Sequence, residues 1–283
     1  MKDYSSFLIC PDCHCQSLIR NRDYFICENC KSIFNDYHNK IVLVALKDKK
    51  IDYGKLLVTV KRQKYWNKEA IWDNKIKELI PNGTGYLLDY ACGGGQKKWC
   101  EIKGYKYIGI DFFFDYGVDI IANGMNLPIT NNSMSCVISQ HVMEHIPNPW
   151  LGCKEIYRVL KIGGIYIGST AFLEPFHERS HYNMSHLGLK YMLEETGFTV
   201  EKIVPFKDSG IDAIIKTMVG INYISCIIAL FFKVFSSIIM TSRKIAAKFF
   251  LVIYKGNNEK IGRINEFIKE EPLRFTSGFY YVA

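Results

Sequence analysis

The chain has 283 residues, of which 48% are hydrophobic and 23% are charged, and its formal net charge at pH 7 is +8. This composition excludes a disordered or fibrous protein, and the length accommodates one sizeable α/β domain with a smaller module. The positive charge is compatible with RNA or an acidic membrane surface as a partner, although a solvated basic face is its commoner cause.

The chain contains ten cysteines, but residues 1–8 include Lys2 and Asp3 and lack the apolar core of a secretory signal. Reduced thiols in a cytoplasmic protein are therefore expected. Five of the ten cysteines are clustered in the first thirty residues and need an explanation of their own.

Four of these five cysteines form two Cys-x-x-Cys pairs: Cys10, Cys13, Cys27 and Cys30. Two such pairs complete a tetrahedral thiolate site for Zn²⁺, and four thiolates leave no open position, so the metal would be structural. His14 and Cys15 are alternative ligands, but the spacing favours the four cysteines. We predict a zinc ribbon over residues 1–46, with strands at residues 24–26 and 41–45. A redox-active pair would instead stand at a helix start in a βαβ unit.

The next segments predict a linker and the beginning of an α/β domain. Residues 47–82 begin with charged residues and continue with a helical spacing of apolar side chains. Residues 86–88 predict a buried strand, which Asp89 closes and three glycines follow at residues 93–95. A strand that ends in a tight glycine turn, ahead of a helix over residues 96–103, brings backbone close to a ligand.

Strands and helices then alternate along the chain. Further strands are predicted at residues 107–110, 118–122, 136–140, 165–168 and 198–206, and helices at residues 148–160 and 185–195, with a turn at residues 161–164. This alternation predicts a doubly wound, mainly parallel sheet over residues 83–206, completed by a last strand within residues 274–283. Asp111 ends the second strand, where a carboxylate faces the ribose hydroxyls of a nucleotide.

Five segments, in this order, resemble class I S-adenosylmethionine-dependent methyltransferases of the type 11 group. They are LLDYACGGG, YIGID, ANGMNLP, SCVISQHVMEH and EIYRVLKIGGIYIGS. The resemblance covers about residues 85–200 and implies a Rossmann-like, seven-stranded doubly wound sheet with S-adenosylmethionine as the cofactor. A dinucleotide enzyme is disfavoured, because Lys98 stands where G-x-G-x-x-G needs its last glycine.

The resemblance also implies which residues contact the cofactor: Asp89, Cys92, Gly93 and Gly95 around the methionine part, Asp111 at the ribose, Asn123 and Gly124 at the adenine, and Gln140 beside the cofactor. Two positions depart from the family pattern. Ala91 replaces the first glycine of D-x-G-C-G-x-G, and Asn123 stands where the family often has Asp. An amide oxygen still accepts a hydrogen bond from an adenine amino group.

Methyl transfer to an oxygen needs a base, for which histidine is suitable. The candidates are His141 after the fourth strand and His177 and His181 in the loop after the fifth strand. Similar family members carry P-F-H and Y-x-x-S/T elements here, matched by residues 175–177 and 182–185.

The segment over residues 207–273 is too long for a hairpin connection. Residues 218–240 contain a single charge, Lys233, and satisfy the length criterion for a transmembrane helix. A single crossing is excluded if the strands on both sides belong to one sheet. Interfacial helices, a re-entrant hairpin, and a lid or dimer face remain alternatives. Basic and apolar residues within 216–255 favour peripheral contact with the inner face of a membrane.

The sequence therefore predicts a methyltransferase that acts on a small molecule or on a lipid-linked or cell-surface glycan, as in polysaccharide biosynthesis. The enzymatic alternative is an RNA base methyltransferase, although no aromatic stripe interleaves the basic residues. The non-enzymatic alternative is a zinc-ribbon interaction protein. A homodimer is compatible with each of these functions.

Overall fold

The computed structural model describes residues 4, 6–37, 40–45, 74–93, 95, 97–113, 117–174, 180–206, 223–274 and 276–283. Most of the predicted linker, over residues 47–73, lies outside the described residues. So do His177 and residues 216–222 of the predicted membrane-contact segment.

The N-terminal module is a three-stranded antiparallel sheet. Its strands are β1 (Leu18–Arg20), β2 (Tyr24–Cys27) and β3 (Ile33–Asn35). The guanidinium of Arg20 donates to a carboxylate oxygen of Asp36 at 2.8 Å and lies 4.6 Å from the ring centre of Phe25. These contacts join β1 to the end of β3 across the middle strand.

The main sheet has eight strands: β4 (Ile41–Leu43), β5 (Tyr86–Tyr90), β6 (Lys106–Asp111), β7 (Ile120–Ala122), β8 (Met134–Gln140), β9 (Leu160–Ala171), β10 (Lys202–Pro205) and β11 (Gly278–Val282). Their order is β10-β11-β9-β8-β5-β6-β7-β4, and all pairs are parallel except those that involve β11. The α-helices of the described residues are α1 (Asn74–Leu79), α2 (Lys97–Ile102), α3 (Pro149–Val159), α4 (His186–Glu195), α5 (Tyr223–Ile253) and α6 (Asn258–Glu270). The predicted mainly parallel α/β sheet is confirmed.

The eighth strand corrects the predicted count of seven and the placement of residues 41–45 in the ribbon. Ile41 pairs with Ile120 and Leu43 with Ala122, in parallel, so β4 extends the main sheet at the edge of β7. Leu43 is fully buried there. Cysteine spacing defines a metal site but does not specify which sheet receives the next apolar strand.

The predicted turn at residues 161–164 lies inside a strand, where it forms a bulge. Helix α3 ends at Val159 and β9 begins at once, with Leu160 paired to Met134. The register shifts between Met134 and Cys136, and Gly163 has φ +74°. The glycines therefore form an irregularity within one long strand and do not reverse the chain.

The predicted last strand is confirmed as β11, which is inserted antiparallel between β9 and β10. The Tyr281 and Tyr166 hydroxyls lie 2.7 Å apart, and the Tyr166 hydroxyl lies 2.8 Å from that of Ser139. All three side chains are buried. A Cβ on Gly168 would lie 2.2 Å from the Tyr281 hydroxyl, so this network requires glycine in β9.

The described part of the insert forms the helices α5 and α6, followed by a 3₁₀ turn at Glu271–Leu273. The described part of the apolar segment at residues 218–240 belongs to one continuous helix, α5, which extends to Ile253. Among the helices that the structure describes, none has both the length and the apolarity needed to cross a membrane.

A buried carboxylate attaches this insert to the sheet. Glu271 is fully buried, and its oxygens lie 3.2 Å from Nε of Arg243 on α5 and 3.0 Å from Nε of Arg274, ahead of β11. Both guanidiniums lie over the ring of Phe267 on α6, at 5.1 and 5.2 Å. We call these four residues the Glu271 clamp.

We expect Glu271→Gln to lower the free energy of unfolding by about 2–4 kcal/mol, because it leaves two arginines without their buried counter-charge. Urea unfolding measures the change. The control is Glu259→Gln, which removes an exposed carboxylate paired with Arg263 and should cost at most about 0.5 kcal/mol. Equal losses in both variants would contradict the role of the clamp.

Candidate cofactor site

The turn after β5 has the backbone of a ligand-binding loop. Ala91, Gly93 and Gly95 all have positive φ, of 55°, 50° and 71°. A Cβ on Gly95 would lie 2.9 Å from the Cα of Gly117, whereas a Cβ on Gly93 would meet nothing within 4 Å. Ala91 therefore adopts a conformation that costs an L-residue about 1–2 kcal/mol. The space above Gly93 is open to a ligand.

The carboxylate of Asp111 ties this turn to the end of β6. One oxygen accepts a hydrogen bond from the Gly93 N–H at 2.8 Å, and the other accepts from the Phe113 N–H at 2.9 Å. Asp111 is only 9% exposed. The loops that follow two adjacent parallel strands are thus held together by one side chain.

Two more carboxylates stand beside it. Asp89 accepts from the Tyr107 hydroxyl at 2.8 Å, and Asp119 accepts from the Gly109 N–H at 3.0 Å. Burial raises the pKa of the Cys92 thiol well above its ordinary value, and the charges of Asp89, Asp111 and Asp119 raise it further. Cys92 is therefore a neutral thiol. The three carboxylates around it form what we call the acidic floor of the site. Asp119 stands directly before β7 and was not predicted as a site residue from the sequence.

The predicted adenine-side residues form a tight turn after β7. The side-chain oxygen of Asn123 accepts from the Met125 N–H at 2.9 Å, and its backbone oxygen accepts from the Asn126 N–H at 2.9 Å. A Cβ on Gly124 would lie 2.4 Å from the hydroxyl of Tyr90, which is buried at the end of β5. Gly124 is therefore required by packing against Tyr90.

At the end of β8, Gln140 is followed by His141, which has φ +51°. Its Nδ1 lies 3.5 Å from a carboxylate oxygen of Glu144. Glu144 is fully buried and accepts from the Thr170 hydroxyl at 3.0 Å and the Ala171 N–H at 3.2 Å. Strained backbone is common at functional sites, and here it directs a histidine towards a buried carboxylate.

Burial acts to raise the pKa of Glu144, but the hydrogen bond and charge of His141 outweigh it, so the pKa lies below its ordinary value. Glu144 is therefore ionised at neutral pH. The same attraction favours the protonated imidazole of His141. The pair is arranged to accept and hold a proton.

Backbone hydrogen bonds place His181 next to Glu144, at the carboxyl ends of the parallel strands. Its N–H donates to the Glu144 carbonyl at 2.6 Å, and the Tyr182 hydroxyl donates to the Pro147 carbonyl at 2.9 Å. Ser185 caps α4 by accepting from the Gly188 N–H. The side chain of His181 is exposed, and its backbone contacts Glu144, the residue whose carboxylate faces His141.

The four predicted metal ligands converge at the tip of the ribbon. The sulfur atoms of Cys10, Cys13, Cys27 and Cys30 all lie within 4.8 Å of one another. The Cys10–Cys30 and Cys13–Cys27 sulfur distances are 3.6 and 3.5 Å. A tetrahedral site with zinc–sulfur bonds of about 2.3 Å requires sulfurs about 3.8 Å apart. The four thiols therefore fit Zn²⁺.

The two cysteine pairs have the same backbone geometry. In the first, the Cys10 N–H donates to the Cys15 carbonyl and the His14 N–H donates to the Cys10 carbonyl. In the second, Cys27, Ser32 and Lys31 repeat the pattern. His14 and Lys31 occupy equivalent positions with φ of 59° and 62°. His14 and Cys15 thus complete the turn, and neither is in the sulfur cluster.

The ribbon is attached to the segment that follows the adenine-side turn. The Asn126 side chain donates to the carbonyl of Pro11, between two of the cysteines, at 3.0 Å. The Ile9 N–H donates to the Pro128 carbonyl, and the Thr130 N–H donates to the Phe7 carbonyl. The metal site and the loop after β7 are therefore mechanically joined.

Residues 88–168 match the family described as a methyltransferase domain, which confirms the prediction of such a domain within the chain. An uncharacterized methyltransferase of Mycobacterium bovis (strain BCG / Pasteur 1173P2) is 42% identical over 71 residues, 23% of this chain and 28% of the relative. An uncharacterized methyltransferase of Mycobacteroides abscessus is 44% identical over 66 residues, which are 22% of this chain and 26% of the relative. The matches thus span less than a third of the length of these curated relatives.

Solved structures of similar proteins include an S-adenosylmethionine-dependent methyltransferase from Mesorhizobium loti. Its TM-score is 0.43 at 12% identity, over 74% of this chain and 95% of that chain. Another is a Haemonchus contortus phosphoethanolamine N-methyltransferase 2 in complex with S-adenosyl-L-methionine. Its TM-score is 0.43 at 16% sequence identity, and the match covers 74% of this chain and 52% of that chain.

We expect purified protein to contain one Zn²⁺ per chain, and Cys30→Ser to lose it and to unfold at lower temperature, because a closed structural site contributes directly to folding. Plasma emission spectrometry and thermal unfolding measure both effects. Cys15→Ser is the control, since Cys15 adjoins the cluster without belonging to it. Metal loss in Cys15→Ser with retention in Cys30→Ser would contradict this ligand set.

We expect Glu144→Gln to lower the pKa of the His141 imidazole, since it removes the carboxylate that favours the protonated ring. Histidine side-chain NMR titration of the wild type and the variant measures the shift. In the wild type, the contribution of ionised Glu144 to the free energy of unfolding is complete above the ordinary carboxyl pKa of 4.5. It is lost as the pH falls towards the lowered pKa of Glu144. An unchanged His141 titration would contradict the pairing.

Proposed function

We propose that the chain is an S-adenosylmethionine-dependent methyltransferase with a structural zinc ribbon. One observation carries the proposal: Asp111 holds the open turn at Gly93 beside the end of β6, within the segment that matches a methyltransferase domain. S-adenosylmethionine supplies a methyl group on a positively charged sulfur when it is bound. The acidic floor of Asp89, Asp111 and Asp119 suits such a ligand and disfavours phosphates.

The residues of the site have separate tasks in this proposal. Asp89, Cys92, Gly93 and Gly95 line the place of the methionine part, and Asp111 accepts from the ribose hydroxyls. Asn123 and Gly124 lie next to the place of the adenine, and Gln140 lies at the end of β8. His141 takes a proton from the acceptor, and Glu144 holds the resulting imidazolium. Alignment of the acceptor supplies the remaining rate enhancement.

The acceptor we favour is a small molecule or a glycan carried on a lipid. Supporting this choice, the helical insert is attached at the sheet edge that carries the site. The Phe172 and Leu173 N–H groups at the end of β9 donate to the carbonyls of Ser277 and Thr276, three and two residues beyond the Glu271 clamp. An acceptor held at a lipid surface would therefore reach the same edge as the cofactor.

Radiolabelled S-adenosylmethionine tests the acceptor class directly. We expect label to enter the lipid-linked glycan or small-molecule fraction of a cell extract and the transfer rate to fall at least about 100-fold in His141→Ala, as for a lost general base. His145→Ala is the control. Label in the RNA fraction alone would favour the RNA base methyltransferase instead.

We expect Asp111→Asn to weaken binding of S-adenosylhomocysteine at least about tenfold, because a charged acceptor of hydrogen bonds is replaced by a neutral group. Calorimetry measures the affinity, and thermal unfolding shows whether the variant is folded. Glu194→Gln on the exposed face of α4 is the control. An unchanged affinity in a folded Asp111→Asn protein would contradict the proposed site.

A further inference from the structure

Helix α5 has a buried face and an exposed face. Ala229 and Ala247 are buried and lie eighteen residues apart, which is five full turns, so they mark the face towards the protein. The following large apolar residues of α5 are each 51–72% exposed: Ile227, Leu230, Phe231, Val234, Phe235, Ile238, Ile245, Phe249, Val252 and Ile253. We call these ten residues the apolar stripe.

The stripe runs along most of the helix. At about 100° per residue, its members fall within an arc of about 140° that lies opposite the two buried alanines. Thr241 and Ser242 interrupt it at mid-length, but the Ser242 hydroxyl donates to the Ile239 carbonyl at 2.8 Å and so has a partner within the helix. Among the described residues nothing buries these side chains, and a patch of this extent marks an interaction surface.

The charges of α5 indicate the chemistry of the partner. The helix contains Lys233, Arg243, Lys244 and Lys248 and no acidic residue. Arg243 belongs to the Glu271 clamp, and the three lysines follow one side of the helix, next to the stripe. A second copy of α5 would bring no carboxylate to these lysines. A phosphate-rich surface would neutralise Lys244 and Lys248 while its acyl chains receive the stripe.

We propose that α5 lies flat on an anionic lipid bilayer, with the apolar stripe between the headgroups and the lysines at the lipid phosphates. The Glu271 clamp fixes the opposite side of the helix to the sheet, so the stripe faces outwards as a rigid surface. The helix is about 46 Å long at 1.5 Å per residue, which gives an extended line of contact. This inference does not depend on the methyltransferase activity.

Vesicle flotation of the full zinc-loaded chain tests the inference without cofactor or acceptor. We expect binding to phosphatidylcholine vesicles that contain phosphatidylglycerol, weaker binding to pure phosphatidylcholine, and a loss of binding at high salt. Phe231→Asp and Phe249→Asp should each weaken binding at least about tenfold, because an aromatic side chain that the bilayer would bury is replaced by a charge. Lys244→Glu/Lys248→Glu should remove the preference for anionic vesicles.

The control is Ile162→Asp, which changes a fully exposed apolar residue of β9 outside α5 and should leave flotation unchanged. Thermal unfolding of each variant shows that the fold is retained. Equal flotation of the wild type and Phe231→Asp would overturn the inference. So would a concentration-dependent dimer that the stripe variants abolish without any vesicle binding, since the stripe would then join two copies of the chain.

Discussion

The hydrogen bonds to the Asp111 carboxylate are the contacts on which the site depends. One carboxylate holds the turn after β5 and the loop after β6 through the N–H groups of Gly93 and Phe113. Two parallel strands deliver those loops to one edge of the sheet, and the carboxylate sets the distance between them. Because Gly93 has no side chain, the held turn still offers open space to a ligand.

The two edges of the main sheet receive the two additions to the domain. At one edge, β4 links the zinc ribbon to β7, and Asn126 bonds to the cysteine turn through Pro11. Towards the opposite side of the sheet, β11 lies between β9 and the edge strand β10 and links the helical insert to β9, and Glu271 holds the long helix of the insert. Both additions thus contact the carboxyl ends of the parallel strands, so each is placed to influence the same site.

Much of this arrangement follows from local sequence. Short apolar runs that end in Asp89 and Asp111, with glycines between them, specify strands and a close backbone approach. The spacing of Cys10 to Cys30 specifies a metal-binding cluster because each pair forms its turn from neighbouring residues alone. The confirmed methyltransferase domain over residues 88–168 covers the segments around Asp89 and Asp111.

The features that the sequence did not reveal depend on contacts between distant segments. The pairing of Ile41 with Ile120 joins residues 79 positions apart, and no local pattern distinguishes a ribbon strand from a strand of the main sheet. In the sequence, Asp119 looks like an ordinary residue next to a strand. Only the fold brings its charge near Cys92. The requirement for glycine at position 124 likewise arises from the Tyr90 hydroxyl, which approaches from another strand.

Hydrogen exchange of backbone amides, measured with and without S-adenosylhomocysteine, tests the central claim most directly. The account predicts added protection at residues 89–95, 111–113 and 123–126, and unchanged exchange in the strands β1 to β3 of the ribbon. Protection confined to other segments, or identical exchange at saturating ligand, would contradict the claim that this sheet edge binds the methyl donor.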